Sequence, residues 1–307
     1  MKTILITGGS GFLGSNLALY LSKKYKIIIF DNLSRGKSIF LKRKNILFIK
    51  GDIKKYNQLK ICSKYKIDKI IHLASINGTK FFYEKPIDVI ETNILGTINI
   101  FKLAKRKKVK EILVASTSEV YVPPKKIPTP ETETLKIENI FNERFSYSGS
   151  KILLEILSAN YGKKYFKKMI IFRPHNVYGP NMGNEHVIPD IIKKIKNNSK
   201  ILNIEGTGNE TRSFIFIDDF VKSIDILLRK GSHLNVYNIG TNDEISIKNL
   251  IKVILTITNK KREINYIKLK KGSVKRRNPN ISKIKKLGFR KRWSLYEGLK
   301  KTIPFYL

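Results

Sequence analysis

Short apolar runs separated by stretches of mixed polarity set the rhythm of this chain. Residues 4–6, 27–30, 46–49, 69–73, 112–115 and 169–172 are too short for helices and apolar enough for strands covered on both faces. Between them apolar residues recur at helical spacing, most clearly over residues 12–24, 86–105 and 147–163. Strand and helix alternating in this way predict an α/β fold with a doubly wound parallel sheet of the Rossmann type. After Pro174 the rhythm breaks into turns, at Tyr178-Gly179-Pro180, Met182-Gly183-Asn184 and Glu205-Gly206-Thr207-Gly208. It resumes with residues 213–217, a helix-like 219–229 and a strand-like 236–239. The chain is therefore expected to leave its first domain, re-enter it and leave again.

Between the first strand and the first helix stands Thr7-Gly8-Gly9-Ser10-Gly11-Phe12-Leu13-Gly14. Glycine tolerates positive φ and lets backbone approach other groups closely. At the head of a helix such a loop turns free amides toward an anion, and a pyrophosphate suits it. Asp31 ends the second strand, where a dinucleotide fold places a carboxylate to accept hydrogen bonds from the adenosine ribose. This βαβ context separates a dinucleotide site from an ordinary glycine-rich turn. Asp52, just after the third run, is placed either to meet the adenine or to cap the next helix. Residues 1–174, with a re-entrant segment 213–240, are expected to form the dinucleotide-binding domain. Residues 175–212 and 241–307 would form a smaller, discontinuous C-terminal substrate domain.

At 307 residues and 41% hydrophobic content the chain can bury a sizeable core. The first strand begins so near the amino terminus that no signal peptide is expected, and no apolar run reaches the length of a membrane span. The single cysteine, Cys62, excludes an internal disulfide and the usual multi-cysteine zinc sites. A cytoplasmic enzyme without membrane insertion and without a metal is the expectation. Sixty-one Lys and Arg against 24 Asp and Glu give a formal net charge of +37. The lysines are spread along the whole chain, and the densest segment, 102–110, is accounted for by a helix end that favours cations. No specific nucleic-acid partner is expected, although weak, salt-sensitive binding follows from the charge.

Chemistry concentrates in two places. Tyr147-Ser148-Gly149-Ser150-Lys151 sets a phenol and an amine on one helix face. A phenol titrating at about 10 is a poor base at neutral pH, and a nearby ammonium and a cationic nicotinamide ring are together expected to lower that value. The fifth strand ends in Ala115-Ser116-Thr117-Ser118-Glu119-Val120-Tyr121, with hydroxyls at the sheet edge where open α/β sheets bind ligands. The competing reading is a Thr/Ser helix cap with a capping Glu. Val120-Tyr121 and the prolines at 123 and 124 argue against a helix starting there. His72, closing the fourth run, reads as a packed, hydrogen-bonded side chain rather than a catalyst.

Together these segments resemble the extended short-chain dehydrogenase/reductases, in particular their nucleotide-sugar epimerases, dehydratases and decarboxylases. The resemblance runs through Arg173-Pro174-His175-Asn176-Val177-Tyr178-Gly179-Pro180, Glu210-Thr211-Arg212-Ser213 and Arg276-Arg277-Asn278-Pro279 to Leu287-Gly288-Phe289, and so covers essentially the whole chain. Val122 stands where the family usually has glycine, and Asn280 where it usually has aspartate. The resemblance implies bound NAD held by Gly8, Gly11, Phe12, Leu13, Gly14, Asp31, Asn32, Asp52, Ile53, Leu73, Ala74, Tyr147 and Lys151. It implies catalysis by Thr117, Glu119, Tyr147 and Lys151. A nucleotide-diphosphate sugar would be bound by Asn77, Gly78, Thr79 and Asn176, with Arg212 and Arg277 on its diphosphate. Residues 77–82 are expected to lie over the sugar. Asp31 points to NAD rather than NADP, with Arg35 the group that could still accept a 2′-phosphate.

The implied reaction oxidises the sugar transiently at C4. Glu119, as a base for the acidified C5 proton, favours a 4,6-dehydratase over a 4-epimerase or a decarboxylase. A non-catalytic NAD-binding sensor would have no need of the Tyr/Lys pair. A homodimer through helices 86–105 and 147–163 is also implied, with Ile90, Ile94, Ile98 and Phe101 along the first of them.

Overall fold

The computed structural model describes residues 1–36, 43–121, 123–197, 200–268 and 274–307; Val122 lies outside the described residues. The apolar runs become six parallel strands, β1 (Thr3–Thr7), β2 (Lys26–Asp31), β3 (Ile46–Lys50), β4 (Lys69–His72), β5 (Glu111–Ala115) and β6 (Lys168–Pro174). Short strands β7 (Val177–Tyr178), β8 (Ile201–Glu205), β9 (Thr211–Ser213) and β10 (Ile215–Phe216) follow. Then β11 (Asn235–Ile239) returns to the main sheet beside β6. The last strands are β12 (Glu244–Ser246), β13 (Glu263–Ile267) and β14 (Arg276–Arg277). The seven-stranded sheet runs β11-β6-β5-β4-β1-β2-β3. Its order reverses between β1 and β4, and the crevice at that switch point, beyond the strands' carboxyl ends, is where such sheets bind ligands.

Central strands are covered on both faces: Ile4, Leu5, Ile6, Ile70, Ile71, Ile112 and Leu113 are fully buried. This is why they read as unbroken apolar runs rather than as alternating patterns. Helix Pro86–Arg106 shows each end signal, with Pro86 at its start, Asp88 in the first turn and Lys105 and Arg106 in the last. It packs along helix Phe145–Tyr165. The apolar stripe expected on the first helix divides. Phe101 is fully buried against Tyr161 and Phe166, whereas Ile90 is exposed and Ile94 and Ile98 are half-buried. Ile87 on the same helix, and Leu153 and Ile156 on its neighbour, are exposed as well.

His72 is buried between two threonine hydroxyls, with Nδ1 2.7 Å from Thr7 Oγ1 and Nε2 3.1 Å from Thr97 Oγ1. It is the packed histidine that its sequence setting suggests. The basic charge is less evenly spread than the sequence implies. Loops leading into β4 and β5 bring Lys64 and Lys66 beside Lys107, Lys108 and Lys110 around a cleft of about 380 Å³. That cleft opens at the amino-terminal edge of the sheet, opposite the crevice. Among the described residues no helix is long and apolar enough to cross a membrane.

Candidate active site

The glycine loop is set by steric necessity. Gly8 has φ +68, and a Cβ there would stand 2.7 Å from the Ala74 amide nitrogen; one on Gly14 would stand 2.2 Å from the Gly8 carbonyl oxygen. Only glycine allows β1, the loop, helix Phe12–Leu21 and the end of β4 to close together. No side chain caps that helix at Gly11. Its first amides, including those of Phe12 and Leu13, are left for an anion. Ser10 Oγ is buried in the same loop without a hydrogen-bond partner, a polar group suited to a phosphate oxygen. The half-buried Asp31 accepts from the amides of Ser10 at 2.9 Å and Leu33 at 2.8 Å, and Asn32 accepts from the Ser34 amide. These features fit a dinucleotide.

Further along the cradle, Leu73 N donates to the Thr7 carbonyl, and Ala74 packs on Gly8. Asp52 accepts from the Lys54 amide, while the N-cap of the next helix is Lys55, so Asp52 closes a turn and does not cap that helix. Ile53 is buried against Gly96, and its carbonyl accepts from Asn99.

Tyr147, Thr117 and Lys151 meet at the carboxyl end of β5. Lys151 Nζ donates to the Ala115 carbonyl at 2.9 Å and lies 5.8 Å from the centroid of the Tyr147 ring. The hydroxyls of Thr117 and Ser75 neighbour the Tyr147 hydroxyl, and Ser75 donates its own proton to Asn93 Oδ1 at 2.7 Å. The sequence reading expects a phenol pKa lowered by an ammonium and a cationic nicotinamide ring together, and the protein's own groups do not supply that lowering. Burial pushes Tyr147 up to about 12, outweighing the neighbouring Thr117 and Ser75 hydroxyls and the charge of Arg35. Burial also takes the Lys151 ammonium down to about 7, against the pull of Glu155. A phenolate at Tyr147 therefore calls for positive charge beside it.

Ser118–Tyr121 forms one 3₁₀ turn, which the sequence reading argued against. Thr117 Oγ1 initiates it by accepting from the Glu119 amide at 3.2 Å, and the turn ends before Pro123. Glu119 is gripped by two guanidinium groups, with Oε1 2.8 Å from Arg277 and Oε2 3.4 Å from Arg144. Burial alone would raise its pKa, but the positive charges of Arg277, Arg144 and Arg212 hold it below the usual carboxylate value. Arg212 donates to the carbonyls of Thr211, Lys275 and Val274. Burial first and Arg277 second lower Arg212 to about 10. Asn176, at φ 41, spends its side-chain amide on the Ser213 carbonyl.

After β4, Gly78 with φ +130 turns the chain into helix Thr79–Glu84. Arg35 reaches this loop: it donates to the Asn77 carbonyl, sits 4.9 Å over the Phe81 ring and lies 3.7 Å from Glu185. Sequence reasoning missed Ser75, Arg144 and Glu155, and it placed Phe82 over the sugar without its contact with Tyr147. Arg144 and Glu155 do carry a signal, standing one helical turn before Tyr147 and one after Lys151.

The comparisons with known proteins agree with this geometry. A model of the NAD dependent epimerase/dehydratase family matches residues 4–240. The dTDP-D-glucose 4,6-dehydratase of Dictyostelium discoideum is 36% identical over 355 residues, covering all of this chain and 82% of that protein. UDP-glucuronic acid decarboxylase 3 of Arabidopsis thaliana is 31% identical over 305 residues, covering 96% of this chain and 86% of that one. Among solved structures, the UDP-glucose 4-epimerase of Thermotoga maritima, crystallised with UDP-glucose, superposes with a TM-score of 0.91 at 30% identity. That alignment covers 99% of this chain and 98% of the epimerase. From the glycine loop to the Tyr/Lys pair, and across its length, the chain belongs to the NAD-dependent epimerase/dehydratase family of enzymes.

Proposed function

We propose that the protein is a nucleotide-sugar 4,6-dehydratase, and that Thr117, Glu119, Tyr147 and Lys151 carry its chemistry. The observation behind this reading is Glu119, an ionised carboxylate two residues from Thr117 just past the end of β5. NAD, when bound, supplies a hydride acceptor for sugar C4 and gives the hydride back to the sugar within the same turnover. Gly8, Gly11, Gly14 and Ser10 would cradle its pyrophosphate, and Asp31 would hold its ribose.

Tyr147 takes the proton of the C4 hydroxyl, which Thr117 orients. Lys151 stabilises the phenolate with its positive charge, and the cofactor, when bound, would supply further positive charge there. With a ketone at C4 the C5 proton is acidic, and Glu119 removes it. That proton then leaves with the C6 hydroxyl as water, the returned hydride goes to C6, and C5 takes back one proton, the equivalent of the one Tyr147 removed from the C4 hydroxyl, so atoms and charge balance. Arg212 and Arg277 form the cationic wall against which the diphosphate lies.

A second reading rests on Arg144 and Arg277 at Glu119. Two guanidiniums would also hold a C6 carboxylate, and a C4 ketone is placed to let that carboxylate leave as carbon dioxide. One experiment separates these chemistries: incubation with nucleotide-diphosphate hexoses and hexuronates in deuterated water, followed by mass spectrometry and NMR. Loss of one water with deuterium in the product supports the dehydratase. Loss of carbon dioxide selects the decarboxylase, and an unlabelled product of unchanged mass inverted at C4 overturns both in favour of an epimerase.

Residues 1–174 with 213–240 would bind the cofactor, and 175–212 with 241–307 the nucleotide sugar, in a cytoplasmic homodimer. Exposed Ile87, Ile90, Leu153 and Ile156 on the paired helices support the dimer, since a partner would take their apolar area out of water. A monomeric mass in sedimentation at micromolar concentration would refute it.

A further inference from the structure

The phenol used as a base in the reading above is roofed by one aromatic ring. Phe82 lies flat on Tyr147, with ring centroids 4.6 Å apart and planes within 9°. Phe82 is 3% exposed and Tyr147 5%. With Val89 and Ile76 they make a small apolar cluster separate from the two main cores. The catalytic ring is therefore held locally and does not depend on the sheet's own packing. The backbone is tied at the same place, because Ser146 Oγ, next to Tyr147 in the chain, donates to the Phe82 carbonyl at 3.4 Å.

We propose that Phe82 is a positioning residue for Tyr147: its ring closes one face of the phenol to water and fixes the ring plane, so that the hydroxyl stays between Thr117 and Ser75. The inference rests on Tyr147 being the base. A stacked aromatic face is electron-rich and excludes solvent, so it opposes the negative charge of a phenolate. The charged groups that face Tyr147 are Lys151 one turn along its own helix, Glu119 at the end of β5 and Arg35 from the loop after β2. Of these Glu119 opposes ionisation and Arg35 favours it. Phe82 thus keeps the base protonated until a cation arrives. It also links that base to helix Thr79–Glu84, which carries the segment expected over the sugar.

The test uses protein labelled with ring-¹³C tyrosine, with the Tyr147 signal assigned by its loss in Tyr147→Phe. In wild type without cofactor the Tyr147 signal should stay that of a neutral phenol up to about pH 10. In Phe82→Ala its midpoint should fall by about one pH unit or more, and Phe82→Leu, which keeps an apolar cover without the aromatic face, should lie between. On the active nucleotide sugar, Phe82→Ala should shift the acid limb of the kcat profile downward and lower the maximal kcat about tenfold, with KM changed less than about twofold. An unshifted Tyr147 titration in Phe82→Ala and Phe82→Leu overturns the proposal, as does a defect confined to KM. The NMR arm needs no substrate, so a failure to find any nucleotide-sugar turnover would count against the proposed reaction and not against the roof.

Discussion

Beneath the catalytic strand end lies a buried ion pair whose loss can be given a size. Arg173 donates through Nε to Glu155 Oε1 at 2.8 Å and through Nη2 to Oε2 at 2.5 Å. Its Nη1 donates to the Tyr121 hydroxyl and to the Glu131 carbonyl. Ser116, one residue before Thr117, donates to the same Glu155 oxygen. Arg173 is 3% exposed and Glu155 6%. Burial alone would lower the Arg173 pKa, and the Glu155 carboxylate reverses this and raises it.

Glu155→Gln keeps the shape and removes the charge, which strands a guanidinium in the interior at a cost of about 3–5 kcal/mol. An unfolding entropy of about 2.1 cal/mol/K per residue over 307 residues comes to about 0.64 kcal/mol/K. The expected fall in Tm is then about 5–8 °C, read by calorimetry or circular dichroism. Removing both charges together, in Glu155→Leu with Arg173→Met, should recover most of that loss, because no unpaired ion remains. A Glu155→Gln protein melting within about 1 °C of wild type, or a double variant less stable than the single one, would refute this reasoning.

Tyr147→Phe should lower kcat by about 10²- to 10⁴-fold while NAD affinity, read by calorimetric titration, stays as in wild type; activity near the wild-type level would show that another group is the base. NAD should bind more tightly than NADP, because the Asp31 carboxylate repels a 2′-phosphate while Arg35 is engaged with Asn77 and Glu185; equal affinities in a titration would defeat this. Acid should destabilise the fold early. Burial holds His72 and His175 down to about 3, so below about pH 6.5 the unfolded chain takes up protons that the folded one refuses. Stability present above that pH should then be lost on acidification by about 1.4 kcal/mol per unit for each histidine, and a urea midpoint unchanged from pH 7 to 5 would contradict it.

The main sheet was legible because parallel strands buried on both faces leave apolar runs that no other local structure explains. Sequence bounds of 86–105 and 147–163 became Pro86–Arg106 and Phe145–Tyr165, errors confined to helix ends. The region after Pro174 was legible only as turns. Its β8 strand, paired with β13, has one buried and one solvent face over five residues, too short for alternation to stand out. The site divided by sequence distance. Motif residues stand near one another in the chain, so Gly8 to Gly14, Thr117 with Glu119, and Tyr147 with Lys151 could be found by spacing. Phe82 on Tyr147, Arg277 on Glu119, Arg35 on Asn77 and Lys64 beside Lys107 are meetings across many residues, made by the fold alone.

Thr117 shows why two sequence readings can compete without excluding each other. A hydroxyl has one proton to donate and two lone pairs to accept with. Accepting the Glu119 amide takes one lone pair and starts the 3₁₀ turn, as a cap would. The proton and the second lone pair are left for the Tyr147 phenol and a sugar hydroxyl. The capping bond also fixes the Thr117 rotamer, which a freely turning hydroxyl would lack, and it sets the backbone from which Glu119 extends toward Arg277 and Arg144. Placement of the group that orients the C4 hydroxyl and of the carboxylate assigned to C5 therefore depends on one hydrogen bond. Serine at 117 preserves that bond with a less restricted χ1, whereas valine keeps the shape and loses it.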